Sequence, residues 1–305
     1  MRINDFKRIL VPTDFSETSY HALEEACRIA SKFDAQLFII HVMEKPPYEL
    51  VPSEENPEEK IVYQKYIMDK MENLTKSIAD RHGIDVNSLI GEAKLVQVVD
   101  EAVRDNNIDV IVMGTHGSKG IREFLIGSNS QNITNGAACP VITIKEASEI
   151  RGLNNIVMPV ESWNSSLEKL DYVSTLAQKY NSKVHILGIM GNNKQQEIDK
   201  VNELVASAEK FLNDANIPSD KKMITGHSVG KETLQYAREI KADVIIVMTE
   251  HESRLGSGFS RDFVKHIINH SEISVMSIKP AMYHAEKVSI HKEPVHRSEH
   301  SNLNE

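Results

Sequence analysis

At 305 residues the chain has room for two domains of ordinary size. A formal net charge of −9 argues against a general nucleic-acid binder, which needs a basic face. Cys27 and Cys139 are too few for a disulfide framework and stand in apolar stretches, so they read as buried, reduced thiols.

In chain order, Arg8 to Pro12 is a short apolar run ending at a proline and predicts a buried strand. Ser16 to Phe33 has Ala22, Leu23, Ala26, Ile29 and Ala30 at helical spacing, with Ser16 and Ser19 as candidate caps. Gln36 to Met43 is a second strand. Pro57 to His82 carries Tyr63, Ile67, Met71, Leu74 and Ile78 at three- and four-residue steps and predicts a long amphipathic helix. A short strand near Leu89, a helix from Lys94 to Asn106, a strand from Asp109 to Met113, a loop from Gly114 to Ile126, a helix opened by Gly127 and a strand from Val141 to Ile144 follow.

The sequence then begins again. Ile9 to Asp14 returns as Ile156 to Glu161, and Val110 to Gly117 returns as Val244 to Glu252. The second copy predicts strands near Ile156–Pro159, Lys183–Met190, Lys222–Thr225, Asp243–Met248 and Ser274–Ile278. Its helices are expected near Ser165–Tyr180, Lys194–Asn213, Lys231–Ile240 and Ser260–Asn269. Apolar strands alternating with helices imply a parallel sheet covered on both faces. A repeat of this size should give each copy its own core. The polar stretch Glu146 to Asn154 marks the boundary, which places domains at 1–147 and 153–280. Residues 281–305 lose periodicity and read as a mobile tail containing His284, His291, His296 and His300.

Gly114 and Gly117 are separated by two residues, and Gly127-Ser128 follows after nine intervening residues. Gly114 ends a strand. Gly117 would let backbone N–H groups approach phosphate oxygens, and Gly127 with Ser128 opens a helix whose N-terminus favours an anion. Spacing alone also allows plain turn glycines. Lys119 and Arg122 in this loop read as solvated charges, and nothing nearby in sequence orients His116 as a general base. The loop lacks the Gly-Lys-Ser/Thr of a P-loop.

Together with Ile9 to Asp14 and His41-Val42, this Gly-x-x-Gly-x9-Gly-Ser pattern resembles the universal stress protein family, over about residues 5–146 and 153–280. The resemblance implies two tandem flavodoxin-like or Rossmann-like α/β domains, each with a five-stranded, mainly parallel sheet and helices on both faces. It also implies an adenine-nucleotide site in the first half. Asp14 and Val42 would meet the adenine, with Pro12 and Thr13 lining the cleft. Gly114, Gly117, Gly127, Ser128 and Asn129 would contact phosphates and ribose, with Met113, Thr115 and His116 beside the glycines. ATP is the implied ligand, with Mg2+ entering on its phosphates. The family's mode of pairing implies contact between Val141–Ile144 and Val275–Ile278 inside one chain. A homodimer and a protein partner of unstated identity complete the expected associations.

The second copy departs from this pattern. Thr249 and Glu252 stand for Gly114 and Gly117, Arg261 and Asp262 for Gly127 and Ser128, and Glu161 for Asp14. Carboxylates at phosphate positions repel phosphate, so this half is expected to serve as a built-in partner, with a turn through Gly256, Ser257 and Gly258 as the alternative. Gly226-His-Ser-Val-Gly230 matches the Gly-x-Ser-x-Gly of serine hydrolases. Its Ser228 aligns with Ala93 of the first copy and reads as the start of a helix. Trp163 reads as a loop residue covering the core. The expected function is a regulatory ATP-binding protein of the stress response. The alternatives are a nucleotide-free interaction scaffold and, far behind, a hydrolase using Ser228. No catalytic residue and no dedicated metal site is expected. No apolar run reaches the ~18 residues of a membrane span, and the start lacks a signal-peptide core, so a cytoplasmic location is expected.

Overall fold

In the computed structural model the structure describes residues 5–43, 57–115, 127–145, 152–191, 194–226, 228–249 and 258–280. The predicted tail lies outside them.

The first half runs β1 (Arg8–Pro12), α1 (Glu17–Phe33), β2 (Gln36–Val42), α2 (Pro57–His82), β3 (Val86–Gly91), α3 (Leu95–Asp105), β4 (Val110–Gly114), α4 (Ser128–Gly136) and β5 (Val141–Ile144). The second runs β6 (Asn155–Val160), α5 (Leu170–Tyr180), β7 (Lys183–Met190), α6 (Gln195–Asp214), β8 (Ser219–Thr225), α7 (Val229–Glu239), β9 (Val244–Met248), α8 (Gly258–His270) and β10 (Ser274–Ile278). Two predicted elements differ. The helix expected from Ser165 begins as a 3-10 turn, Asn164–Leu167, and becomes α-helical only at Leu170. The strand expected from Lys222 begins at Ser219, because Val184 of β7 pairs there and an edge strand needs no apolar run to be held.

All ten strands form one sheet in the order β3-β2-β1-β4-β5-β10-β9-β6-β7-β8. Within each half every pairing is parallel, and the chain reverses direction across the sheet between β1 and β4, or β6 and β9. The halves join where β5 and β10 run antiparallel, with Ile142 opposite Met276, Val275 opposite Thr143 and Ser277 opposite Val141. That register puts a local two-fold between Ile142 and Met276.

The repeat extends to the ties that hold the elements. Asp109 accepts the N–H groups of Lys7 and Arg8 at 2.8 Å each, fixing the start of β1. Asp243 does the same for Asn155 at 2.8 Å, and burial raises its pKa. The helices α1 and α5 both end on a left-handed residue, Asp34 (φ 53°) and Asn181 (φ 57°), two residue types whose short polar side chains tolerate that region.

One face of the sheet departs from the expectation of separate cores. Beneath α1, α2, α5 and α6 a single apolar cluster runs from Phe6, Ile9 and Ile29 through Ile156, Val173 and Leu212. Phe33 packs on Tyr180 at 6.2 Å between ring centres, while Lys179 lies over Phe33 and Lys32 over Tyr180, a two-fold-related set. Phe6 adds contacts to Phe33 at 5.1 Å and Tyr172 at 6.5 Å. The physical reason is continuity of the sheet: α1 packs on β1, β4 and β5, α5 packs on β6 and β7, and the ends of the two helices meet through Phe33 and Tyr180 beside the β5–β10 joint. On the opposite face the cores stay separate, one around Leu10, Val99 and Ile133 and the other around Val157, Leu234 and Ile267.

Lys145, immediately after β5, is buried at this joint, and burial pushes its ammonium down to about 8 from 10.5. Between those values the unfolded chain holds a proton that the folded protein has released. The Lys145 contribution to stability therefore rises with pH across the window, by on the order of 3 kcal/mol at most. Denaturant unfolding of the wild type and Lys145→Met at pH 7 through 10.5 is expected to shift in favour of the wild type over that range. A pH-independent difference between them would refute this.

Candidate functional site at the first switch point

In an open α/β sheet the crevice for a ligand lies outside the carboxyl ends of the strands where the strand order reverses. Here that point is the junction of β1 and β4. The expected residues Pro12, Thr13 and Asp14 end β1, Met113, Gly114 and Thr115 end β4, Val42 ends β2, and Gly127, Ser128 and Asn129 begin α4. Two hydrogen bonds draw α4 to β4: Gly127 N–H to the Thr115 carbonyl at 2.9 Å, and Ser130 Oγ to the Gly114 carbonyl at 3.1 Å. Thr13 N–H reaches the Ile40 carbonyl at 2.8 Å and aligns the ends of β1 and β2. His116, Gly117, Lys119 and Arg122 lie outside the described residues.

The two described glycines of the motif have different physical reasons. Gly114 is a packing glycine: a Cβ there would meet Thr18 Cγ2 at 2.7 Å and the Thr18 carbonyl at 3.0 Å, so α1 demands it. Gly127 is not demanded by the described packing. Its φ of −58° suits any residue, and among the described residues a Cβ would find only the Thr115 carbonyl, at an ordinary 3.5 Å. It occupies the N-cap of α4, where Ser, Thr, Asp or Asn would normally satisfy an orphan N–H, and no side-chain cap bond is made. Ser128 and Asn129 beside it are exposed. The start of α4 thus keeps its amides and its positive dipole end unscreened by its own cap.

The wall opposite contains groups that sequence reasoning missed. Asp14 accepts the Ser16 N–H at 3.0 Å and the Ser16 hydroxyl, while Ser16 Oγ caps α1 by accepting from Ser19 N–H at 3.2 Å. Thr13 Oγ1 lies 3.0 Å from Ser19 Oγ. His41 is buried and its Nδ1 donates to the Thr13 carbonyl at 2.8 Å. Burial lowers its pKa, against the opposing pull of that hydrogen bond, so the ring is a neutral strut. Phe15 takes a left-handed φ of 61° and sets its ring 4.5 Å from His41, and Lys70 of α2 lies 3.8 Å above Phe15. The strained φ at Phe15 had no sequence signal.

The equivalent corner of the second half is filled by its own side chains. Glu161 is buried and accepts the Trp163 indole N–H at 2.8 Å. The Glu161 N–H donates to Ser166 Oγ at 3.0 Å. Lys169, 1% exposed, donates to the Ser166 carbonyl at 2.7 Å and to its hydroxyl at 3.3 Å. Burial lowers the pKa of the Lys169 ammonium and the Glu161 charge opposes this. Thr249, in the place of Gly114, is buried and binds the Ile278 carbonyl through N–H (2.7 Å) and hydroxyl (3.2 Å). His251, Glu252, Gly256 and Ser257 lie outside the described residues, as do the side chains of Arg261 and Asp262.

Ser228 occupies the N-cap of α7 but makes no cap bond, so it starts the helix by position without capping it. Asp243, an acid that follows Ser228 in the chain, accepts the N–H at the amino end of β6, the opposite end of the sheet. His266 instead packs toward α7, where its ring would be 2.7 Å from a Cβ at Gly230. Among the described residues nothing builds a nucleophile, base and acid around Ser228. Among the described residues there is no group of three or more metal-ligating side chains. No described helix is long and apolar enough to cross a membrane.

A doubly wound parallel sheet, doubled within one chain, defines a class of α/β proteins. The family model of the universal stress protein family matches twice, over residues 5–145 and 152–279, and the chain belongs to that family. A universal stress protein of Methanocaldococcus jannaschii is 30% identical over 145 residues, which is 47% of this chain and 84% of that protein. A second from the same archaeon is 27% identical over 155 residues, 46% of this chain and 95% of that protein. Each therefore corresponds to about half of this chain. The crystal structure of a universal stress protein from Archaeoglobus fulgidus superposes with a TM-score of 0.70 at 17% identity, covering 90% of this chain and 98% of that one, and shares the fold.

Proposed function

We propose that the chain is an adenine-nucleotide-binding regulatory protein that holds one ATP in the first-half crevice and none in the second. Residues 1–147 and 153–280 are read as its two domains, and the location as cytoplasmic. The observation that carries the reading is Gly127. The described packing does not require a glycine there, yet the position is left without a side chain at the start of a helix aimed at the switch point. A Cβ-free N-cap gives phosphate oxygens direct access to backbone N–H groups. The exposed Ser128 and Asn129 supply further donors. Asp14 and the end of β2 at Val42 offer the polar edge and apolar wall for an adenine. Mg2+ would supply charge neutralisation on the phosphates.

The second half supports the asymmetry. Glu161, Trp163, Ser166 and Lys169 satisfy one another in the corner where Asp14 stands in the first half, so a ligand would have to break a buried network to enter. Calorimetric titration of ATP into the purified protein is expected to give one site per chain, with adenine nucleotide released when the protein is denatured. Two sites per chain would refute the division between halves. No binding heat at sub-millimolar ATP and no released nucleotide would leave an interaction scaffold.

A further inference from the structure

Two lysines cross between the halves in opposite directions. Lys145, following β5, donates to the Ile268 carbonyl in the last turn of α8 at 3.4 Å. Lys279, following β10, donates to the carbonyl of Gly136, the last residue of α4, at 2.6 Å. The two positions are related by the local two-fold of the joint, so each half closes the C-terminal end of the other half's last helix.

The two contacts are equivalent in kind but not in consequence. The helix α8 belongs to the half whose corner is filled. The helix α4 opens the first-half crevice. Its near end is held by the Gly127 and Ser130 hydrogen bonds to β4. Its last turn carries no basic residue of its own. Lys279 therefore brings, from the other half, the cation that C-terminal carbonyls and the negative end of the helix dipole favour. A helix of nine residues is only about 13 Å long, so a contact at its far end bears directly on the direction of its first amides.

We propose that Lys279 is a positioning residue for the nucleotide crevice of the first half: by closing the carbonyl end of α4 it fixes the helix whose N-terminal amides receive the phosphates. This rests on the nucleotide reading above. It assigns the second half a task in the first half's site, so that the copy lacking the glycines completes the copy that has them.

The test uses the full chain in four forms: wild type, Lys279→Met, Lys279→Arg and Lys145→Met. ATP affinity is measured by calorimetry, and hydrogen–deuterium exchange is followed at the amides from Ser128 to Gln131. Lys279→Met is expected to weaken ATP about two- to five-fold, the range of a cation at a helix end, and to speed exchange in α4. Lys279→Arg should restore both. Lys145→Met removes the equivalent tie on α8 and should leave ATP affinity unchanged. The proposal is overturned if Lys279→Met binds ATP like the wild type, if arginine fails to restore binding, or if both lysine-to-methionine changes weaken ATP equally, since that reports general loosening of the joint. If the wild type binds no ATP, the nucleotide reading fails separately. Exchange in α4 then decides the tie, and rates unchanged by Lys279→Met overturn it.

Discussion

Replacing Gly127 with aspartate is expected to remove ATP binding while leaving the fold as stable as the wild type or slightly more so. The two effects have separate causes. At the N-cap of α4, with φ −58° and ψ 150°, an aspartate side chain takes the extended backbone without strain and can accept an orphan N–H of the first turn. That substitution at an N-cap gains a few tenths of a kcal/mol over glycine, and among the described residues the added Cβ meets nothing closer than 3.5 Å. The same carboxylate stands where phosphate oxygens would come. Two like charges about 5 Å apart at an effective dielectric near 20 repel by about 3 kcal/mol, or roughly a hundred-fold in affinity. Capping also consumes the N–H groups the phosphates would use. Thermal unfolding and ATP titration on one preparation check both arms. Loss of binding accompanied by a large fall in Tm would mean that Gly127 is structural. Retained binding would mean that the phosphates do not sit at α4.

The second large effect belongs to the filled corner. Lys169→Met is expected to destabilise the protein by about 3–5 kcal/mol near pH 7, the usual cost of leaving one partner of a buried charged pair alone. Glu161 is 6% exposed, still accepts the Trp163 N–H, and would lose the opposing charge of Lys169. The Ser166 carbonyl would also lose its 2.7 Å ammonium donor. Changing Glu161 to Gln in the same chain removes the stranded charge, while the amide oxygen can still accept the Trp163 N–H. The double variant should recover most of the loss. Chemical denaturation of the three proteins measures this, and a single variant within about 1 kcal/mol of wild type would show that the pair carries little. Because the corner lies in the half read as nucleotide-free, ATP affinity should stay unchanged in the double variant.

Much of the fold was readable because buried parallel strands are continuous apolar runs and their helices keep a 3.6-residue period. Lys183–Met190 and Ser274–Ile278 fall where the sequence puts them. The misplacements have physical reasons. Ser219-Asp220-Lys221-Lys222 looks like loop because an edge strand is held by one neighbour and can be polar on its open side. The first turn of the Ser165–Tyr180 segment is 3-10 because Ser166 and Lys169 are committed to the Glu161 corner, a tertiary demand with no periodicity. In the site, the strand-end residues and the start of α4 were legible as a motif. The neutral His41 strut, the left-handed Phe15 and the Ser130 tie were not, since each depends on a neighbour distant in the chain or on a backbone angle that side-chain type does not encode. Gly114 was recognised as special for an incomplete reason: its closest constraint is Thr18 of α1, not only the approach of a ligand.

The sequence by itself determined that the chain holds two copies of one α/β unit and that only the first copy keeps the glycine pattern, because both facts are written in local residue order. It also carried the family resemblance that the two matched segments establish. Only the tertiary structure decided how the copies relate. The contact of β5 with β10 was already implied by the family resemblance, but its register, the Phe33–Tyr180 packing and the crossed Lys145 and Lys279 contacts are long-range, and hydrogen-bond register and helix-face contacts leave no trace in local composition. The tertiary structure also showed what occupies the second half's counterpart of the Asp14 corner. A buried lysine and glutamate fill that corner, which a change from Asp14 to Glu161 in the sequence alone does not reveal.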